Sequence, residues 1–141
     1  MKDQDFLYDI KELEEAAKKL SLEYSIIEGE TAQKFIQDTI NLFKPFRVTG
    51  HLGIGSEKSI ILSTEGNEFN FSEKYVLGTA YVFFEQNYYN KNQIFVLQEG
   101  KFFSQLLLEC SQLEYFITDN SHSFLISVNW YAIEILKIPD K

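Results

Sequence analysis

The stretch Ser123-Phe124-Leu125-Ile126-Ser127-Val128-Asn129-Trp130-Tyr131-Ala132-Ile133-Glu134-Ile135 decides how this chain is read. Side chains alternate across a strand, so residues two apart share a face. Phe124, Ile126, Val128 and Trp130 then fall on one side, and Leu125, Ser127, Asn129 and Tyr131 on the other. One side is wholly apolar and the other is mixed. An antiparallel sheet with a core face and a wetter face has this pattern. The run just before it, Glu114 to Asp119, reads as a partner strand. Asn120-Ser121-His122 joins the two with turn-forming residues.

Moving toward the N-terminus, residues 101–112 read as a helix burying Phe102, Phe103, Leu106, Leu107 and Cys110, with Gly100 as the break before it. Gln93 to Gln98 and Tyr81 to Glu85 are rich in aromatic and β-branched residues and read as strands. A polar loop, Asn87 to Asn92, separates them. Residues 72–78 are open between a short helical turn and a loop. Lys58 to Ser63 reads as a strand, followed by a turn at Glu65-Gly66-Asn67. Phe46 to Leu52 is a further candidate strand.

Two helices open the chain. Phe6, Ile10, Leu13, Ala17 and Leu20 recur at helical spacing over residues 3–20, with Asp3 and Asp5 in the first turn and Lys18 and Lys19 in the last. Phe35, Ile36, Ile40 and Phe43 form the apolar face of a second helix over 31–43, and Pro45 lies where such a helix stops. Between them, Tyr24 to Ile27 is a strand or an extended link. The reading is one α+β domain over 1–141. It has two N-terminal helices and an antiparallel sheet of about five or six strands, with one helix inserted near 101–112.

At 141 residues the chain is long enough for one sizeable core. Its 13 Phe and 8 Tyr exclude a disordered chain. The net charge of −8, with Arg47 as the single arginine, disfavours nucleic acid and anionic membrane surfaces as partners. It steers the protein toward basic partners instead. Cys110 is the only cysteine, so no internal disulfide forms. That, with an N-terminus lacking a signal-peptide pattern, points to the cytoplasm.

The search for chemistry finds little. Two histidines, His51 and His122, and one cysteine cannot supply a structural zinc site. Asp3-Gln4-Asp5 has the spacing of a calcium loop but reads as first-turn helix charge. Cys110 lies on an apolar helix face, where a thiol behaves as a small hydrophobe. Gly50-His51-Leu52-Gly53-Ile54-Gly55-Ser56 has the wrong glycine order for a dinucleotide loop and no P-loop ending, so it reads as a turn. No catalytic residue, metal or cofactor is assigned, and the protein is read as a non-enzyme.

What remains is surface. From Phe102 to Leu136 there is no lysine or arginine, while Glu109, Glu114, Asp119 and Glu134 are present. Tyr115, Tyr131 and Trp130 are aromatic neighbours. Core packing is the competing reading for each of them, and it is strongest for Trp130. The loop Asn87-Tyr88-Tyr89-Asn90 adds two tyrosines, and tyrosine is enriched at interfaces. The candidate partner-binding residues are Glu85, Tyr88, Tyr89, Glu114, Asp119, Tyr131 and Glu134.

Leu113-Glu114-Tyr115-Phe116-Ile117-Thr118-Asp119 and Ser123 to Trp130, with the strand and helix before them, resemble in style the small immunity proteins of bacterial polymorphic toxin systems, including contact-dependent growth inhibition. The resemblance covers roughly the last 60 residues and rests on no diagnostic residue set. It implies a protein that binds a cognate toxin domain, often a basic nuclease, and neutralises it. Two alternatives stand beside it. One is a regulatory or scaffolding module, with a second copy of the chain as partner. The other is a small-ligand binder or enzyme using Ser127, Asn129, Tyr131 and Glu134 on the sheet face.

Overall fold

The structure, a computed structural model, describes residues 9–137. Helix α1 (Asp9–Leu20) leads into strand β1 (Tyr24–Glu28) and helix α2 (Gly29–Phe43). A long loop precedes β2 (Ile60–Ser63), and α3 (Phe71–Tyr75), β3 (Ala80–Phe83) and β4 (Gln93–Leu97) follow. A 3-10 turn (Gly100–Phe102) then runs into α4 (Phe103–Leu107), and β5 (Tyr115–Thr118), β6 (Phe124–Val128) and β7 (Ala132–Lys137) complete the chain. The seven strands form one sheet in the order β1-β4-β3-β5-β6-β7-β2. Every neighbouring pair is antiparallel. The α+β reading holds, with seven strands in place of five or six. Among the described residues no helix is long and apolar enough to cross a membrane.

The additional strand comes from the decisive stretch itself. Residues 123–135 are two strands, not one. The chain reverses at Asn129, whose backbone N–H donates to the Ala132 carbonyl at 3.0 Å. Its side-chain Oδ1 accepts the backbone N–H of Tyr131 at 2.7 Å and of Ala132 at 2.8 Å. A short amide side chain that satisfies its own turn in this way competes with strand continuation. The alternation through Trp130 and Tyr131 therefore stops at Val128, and both rings leave the sheet.

Both faces of the sheet are covered, so the expected wetter face is closed. On one side Ile117, Ile126, Val128, Ile133 and Ile135 pack beneath α1, α3 and α4 through Leu13, Phe71, Phe103 and Leu106. On the other side Ile94, Val96, Phe116 and Leu125 pack beneath Ala32, Ile36 and Phe43 of α2 and beneath Leu52 and Ile54 of the loop before β2. Ile94, Phe95, Val96 and Leu97 of β4 are all buried, as a strand covered on both faces requires.

Local departures have local causes. The α1 stripe from Ile10 onward is buried as expected; Phe6, Asp3 and Asp5 lie outside the described residues. Helix α2 ends at Lys44, in the left-handed region at φ 50°, just before Pro45. The strand expected over 46–52 is a single bridge between Arg47 and Gly53. Glycines at 50, 53 and 55 turn that segment back on itself. Gly55 has φ +75°, and a Cβ there would sit 2.7 Å from the Phe46 Cβ. The helix expected over 101–112 stops at Leu107, and i→i−3 bonds tighten the residues after it. Gly100 is fixed by packing: its N–H donates to the Gly78 carbonyl at 2.8 Å, and a Cβ would lie 2.5 Å from that same oxygen.

Candidate functional site

Strand polarity decides which loops meet. Phe83 at the end of β3 pairs with Phe116, and Tyr115 at the start of β5 pairs with Val128 at the end of β6. The loop after β3, the residues before β5 and the β6–β7 turn therefore share one end of the sheet. Asp9, at the start of α1, and the glycine-rich loop also reach this end. Together they enclose a cleft of about 330 Å³ whose lining includes Asp9, His51, Glu85, Asn90, Glu114 and Trp130.

The glycine-rich loop forms one wall, and side chains of the sheet hold it. Asn129 Nδ2 donates to the Leu52 carbonyl at 2.8 Å. Glu134 Oε1 accepts the N–H groups of Ile54 at 3.0 Å and Gly55 at 2.8 Å. Glu85 Oε1 accepts the N–H of Gly50 at 3.2 Å. Leu52 and Ile54, anchored in the core, then present His51 to the cleft. His51 Nδ1 lies 2.6 Å from Glu114 Oε2, and the same oxygen accepts the backbone N–H of Trp130 at 2.9 Å. The His51 ring sits between two aromatics, 5.5 Å from Trp130 and edge-on to Tyr131 at 5.2 Å.

The opposite rim is the loop after β3. Asn87 Oδ1 accepts the N–H groups of Tyr89 and Asn90, each at 3.0 Å, which folds the loop into an Asx-type turn. Tyr88 and Tyr89 project from it and meet edge to face at 5.2 Å. Tyr88 is 88% exposed, Tyr89 45%, Trp130 52% and Tyr131 68%. Four exposed aromatic rings thus stand on two loops at this end of the sheet, and Trp130 among them lines the acidic cleft.

The anticipated surface residues divide accordingly. Glu85, Glu114, Tyr88, Tyr89 and Tyr131 come together at this end. Asp119 does not: it follows β5 where Glu114 precedes it, about 17 Å away along the strand. There its carboxylate accepts the Ser123 N–H at 2.9 Å and closes the β5–β6 turn. Glu134 is occupied by the glycine-rich loop, and Glu109 pairs with Lys19 at 2.8 Å. The stretch free of lysine and arginine is therefore not one continuous acidic face.

Tyr115 is wholly buried, edge-on to Phe103 at 5.2 Å. Its hydroxyl has no partner among the described residues, at a cost of about 1–3 kcal/mol. Of the sheet-face residues considered above, Ser127 is buried, Asn129 and Glu134 bond the turn and the glycine-rich loop, and Tyr131 is exposed. Sequence reasoning missed Asp9, His51 and Asn90, and it placed Trp130 in the core. The available signal was Asn129, a turn former in the middle of an apparent strand.

His51 and Glu114 have the arrangement of the orienting half of a nucleophile–base–acid triad. Among the described residues, the cleft lining contains no serine, threonine or cysteine for such a base to activate. Cys110 lies elsewhere, half-buried, with its thiol 3.4 Å from the Leu106 carbonyl. Burial, with Glu12 and Glu109 nearby, pushes that thiol up to about 12. The thiolate is the reacting form. Iodoacetamide near pH 8 is therefore expected to label Cys110 at least about tenfold more slowly in the native protein than in urea. A mass-spectrometric time course with equal rates would contradict this. Among the described residues no group of three or more metal-ligating side chains converges.

No protein-family model matches the chain, and no curated protein or solved structure matches it with significance.

Proposed function

We propose that this is a binding protein of immunity type, which caps a basic toxin domain with the acidic, aromatic end of its sheet. One observation carries the reading. Tyr88, Tyr89, Trp130 and Tyr131 are exposed on the two loops at the end of the sheet that holds a cleft with three carboxylates, those of Asp9, Glu85 and Glu114. Soluble proteins seldom leave such groups uncovered without use. Tyrosine and tryptophan concentrate binding energy at interfaces, and acidic groups around them speed encounter with a basic partner. The protein acts by occupying its partner and not by catalysis, and its place of action is the cytoplasm. Nucleic acid is not its ligand: the chain carries a net charge of −8.

The test is association with a candidate partner, a purified basic toxin domain. Its rate constant, followed by stopped flow, is expected to fall about tenfold or more between low and physiological salt. A rate that is high and indifferent to salt would remove the electrostatic part of the reading. Absence of binding at micromolar concentration would remove the reading itself.

A further inference from the structure

We infer that the cleft is a guanidinium pocket, filled by an arginine side chain that the partner presents; this rests on the reading of a basic protein partner. Its acceptors are arranged for a ligand that the described residues do not supply. Asp9 Oδ2 takes the Asn90 amide, Glu85 Oε1 the Gly50 N–H, and Glu114 Oε2 both His51 and the backbone N–H of Trp130. The second oxygen of each carboxylate accepts no hydrogen bond among the described residues. None of the three is paired with a lysine or arginine there either; the lysine pairs of the structure use Glu14, Glu15, Asp38 and Glu109.

Asn90 is the independent sign of an absent ligand. Its side chain lines the cleft, and the residue is only 4% exposed. Nδ2 is used, donating to Asp9 at 3.1 Å, but Oδ1 has no partner among the described residues. A buried amide oxygen without a donor costs about 1–3 kcal/mol. Such an atom beside three carboxylates awaits a donor, not another acceptor. Asp9 agrees with this: burial pushes its carboxyl up, the Asn90 hydrogen bond offsets that only in part, and Glu12 adds to it. A cation in the cleft would relieve that carboxylate.

Shape selects among cations. Guanidinium is planar, carries five donors in a fixed fork, and stacks on aromatic faces. It can address acceptors spread over different elements while lying against the half-exposed indole of Trp130. An ammonium has three donors around one point and no flat face. At about 330 Å³, the cleft is at the small end of ligand sites and has room for one side chain.

Trp130 is the only tryptophan, so its fluorescence reports on the cleft. The full chain is titrated with Nα-acetyl-arginine amide, with the neutral isostere Nα-acetyl-citrulline amide and with Nα-acetyl-lysine amide. The arginine probe is expected to saturate with a Kd of roughly millimolar order. The lysine probe should be at least about threefold weaker, and the citrulline probe silent. Asp9→Asn should weaken the arginine probe about tenfold without lowering Tm, because it removes a charge that burial disfavours. Asn90→Leu gives a second reading wherever its Tm shows it folded. Addition of the toxin domain should displace the bound probe.

Equal responses to arginine and citrulline probes, no saturable response, or an unchanged affinity in Asp9→Asn would each overturn the pocket. A probe that stays bound in the toxin complex would overturn the partner as its source. The two readings fail separately. Toxin binding that persists without any probe response removes the pocket alone. A probe response without toxin binding removes the proposed partner.

Discussion

Replacing Asn129 with alanine is expected to lower unfolding stability by about 3 kcal/mol, a large share of the 5–15 kcal/mol of an ordinary domain. The side chain makes three hydrogen bonds, each 2.8 Å or shorter, and no other residue duplicates them. Two of them close the β6–β7 turn. The third satisfies the carbonyl of Leu52, a residue buried in the core, and leaving that acceptor unpaired accounts for much of the expected loss. Glu134 still holds the next two N–H groups of the same loop, so the wall should loosen without detaching. Urea unfolding measures the effect. A loss below about 1 kcal/mol would mean that the turn and the loop are held by something else. The variant should also bind its partner more weakly, since Trp130, Tyr131 and His51 all depend on this turn and wall for position.

The second large effect concerns binding. Trp130→Ala combined with Tyr131→Ala is expected to raise the Kd for the proposed toxin partner about a thousandfold, or about 4 kcal/mol. Truncating central tryptophan and tyrosine anchors commonly costs about 2 kcal/mol or more each. Both side chains are more than half exposed, so the fold loses little packing when they are shortened. Tm should therefore change by only a few degrees, which separates lost contact from lost structure. Calorimetric titration reads the affinity. A Kd within about threefold of the parent would place the interface elsewhere on the molecule.

The fold was largely legible because its elements carry periodic burial. The α1 stripe, the α2 face ending before Pro45, and the strands at 58–63, 93–98 and 114–119 all follow from spacing and turn chemistry. The site was much less legible, for one physical reason. Alternation continues formally through Asn129-Trp130-Tyr131, but the Asn129 side chain bonds its own turn and ends the strand at Val128. Period alone carries no mark of that competition.

That single reversal accounts for two errors. It adds a strand to the sheet, and it moves Trp130 from the expected core to the rim of a cleft. The assembly of Asp9, His51, Glu85, Asn90 and Glu114 was out of reach of spacing altogether, since the fold brings these residues together from four separate segments. Glu134 and Asp119 show the converse. An acidic residue in a cation-poor stretch looks like surface charge, yet each is used to satisfy backbone N–H groups of a loop or turn.

Co-expression tests the central claim most directly. A candidate basic toxin domain, the proposed partner, is induced in cells that carry this protein, its Trp130→Ala,Tyr131→Ala form, or neither. The parent protein is predicted to restore growth and the double variant to fail at equal soluble level. Growth that stays arrested with the parent protein, or that is restored equally by both forms, would contradict the account.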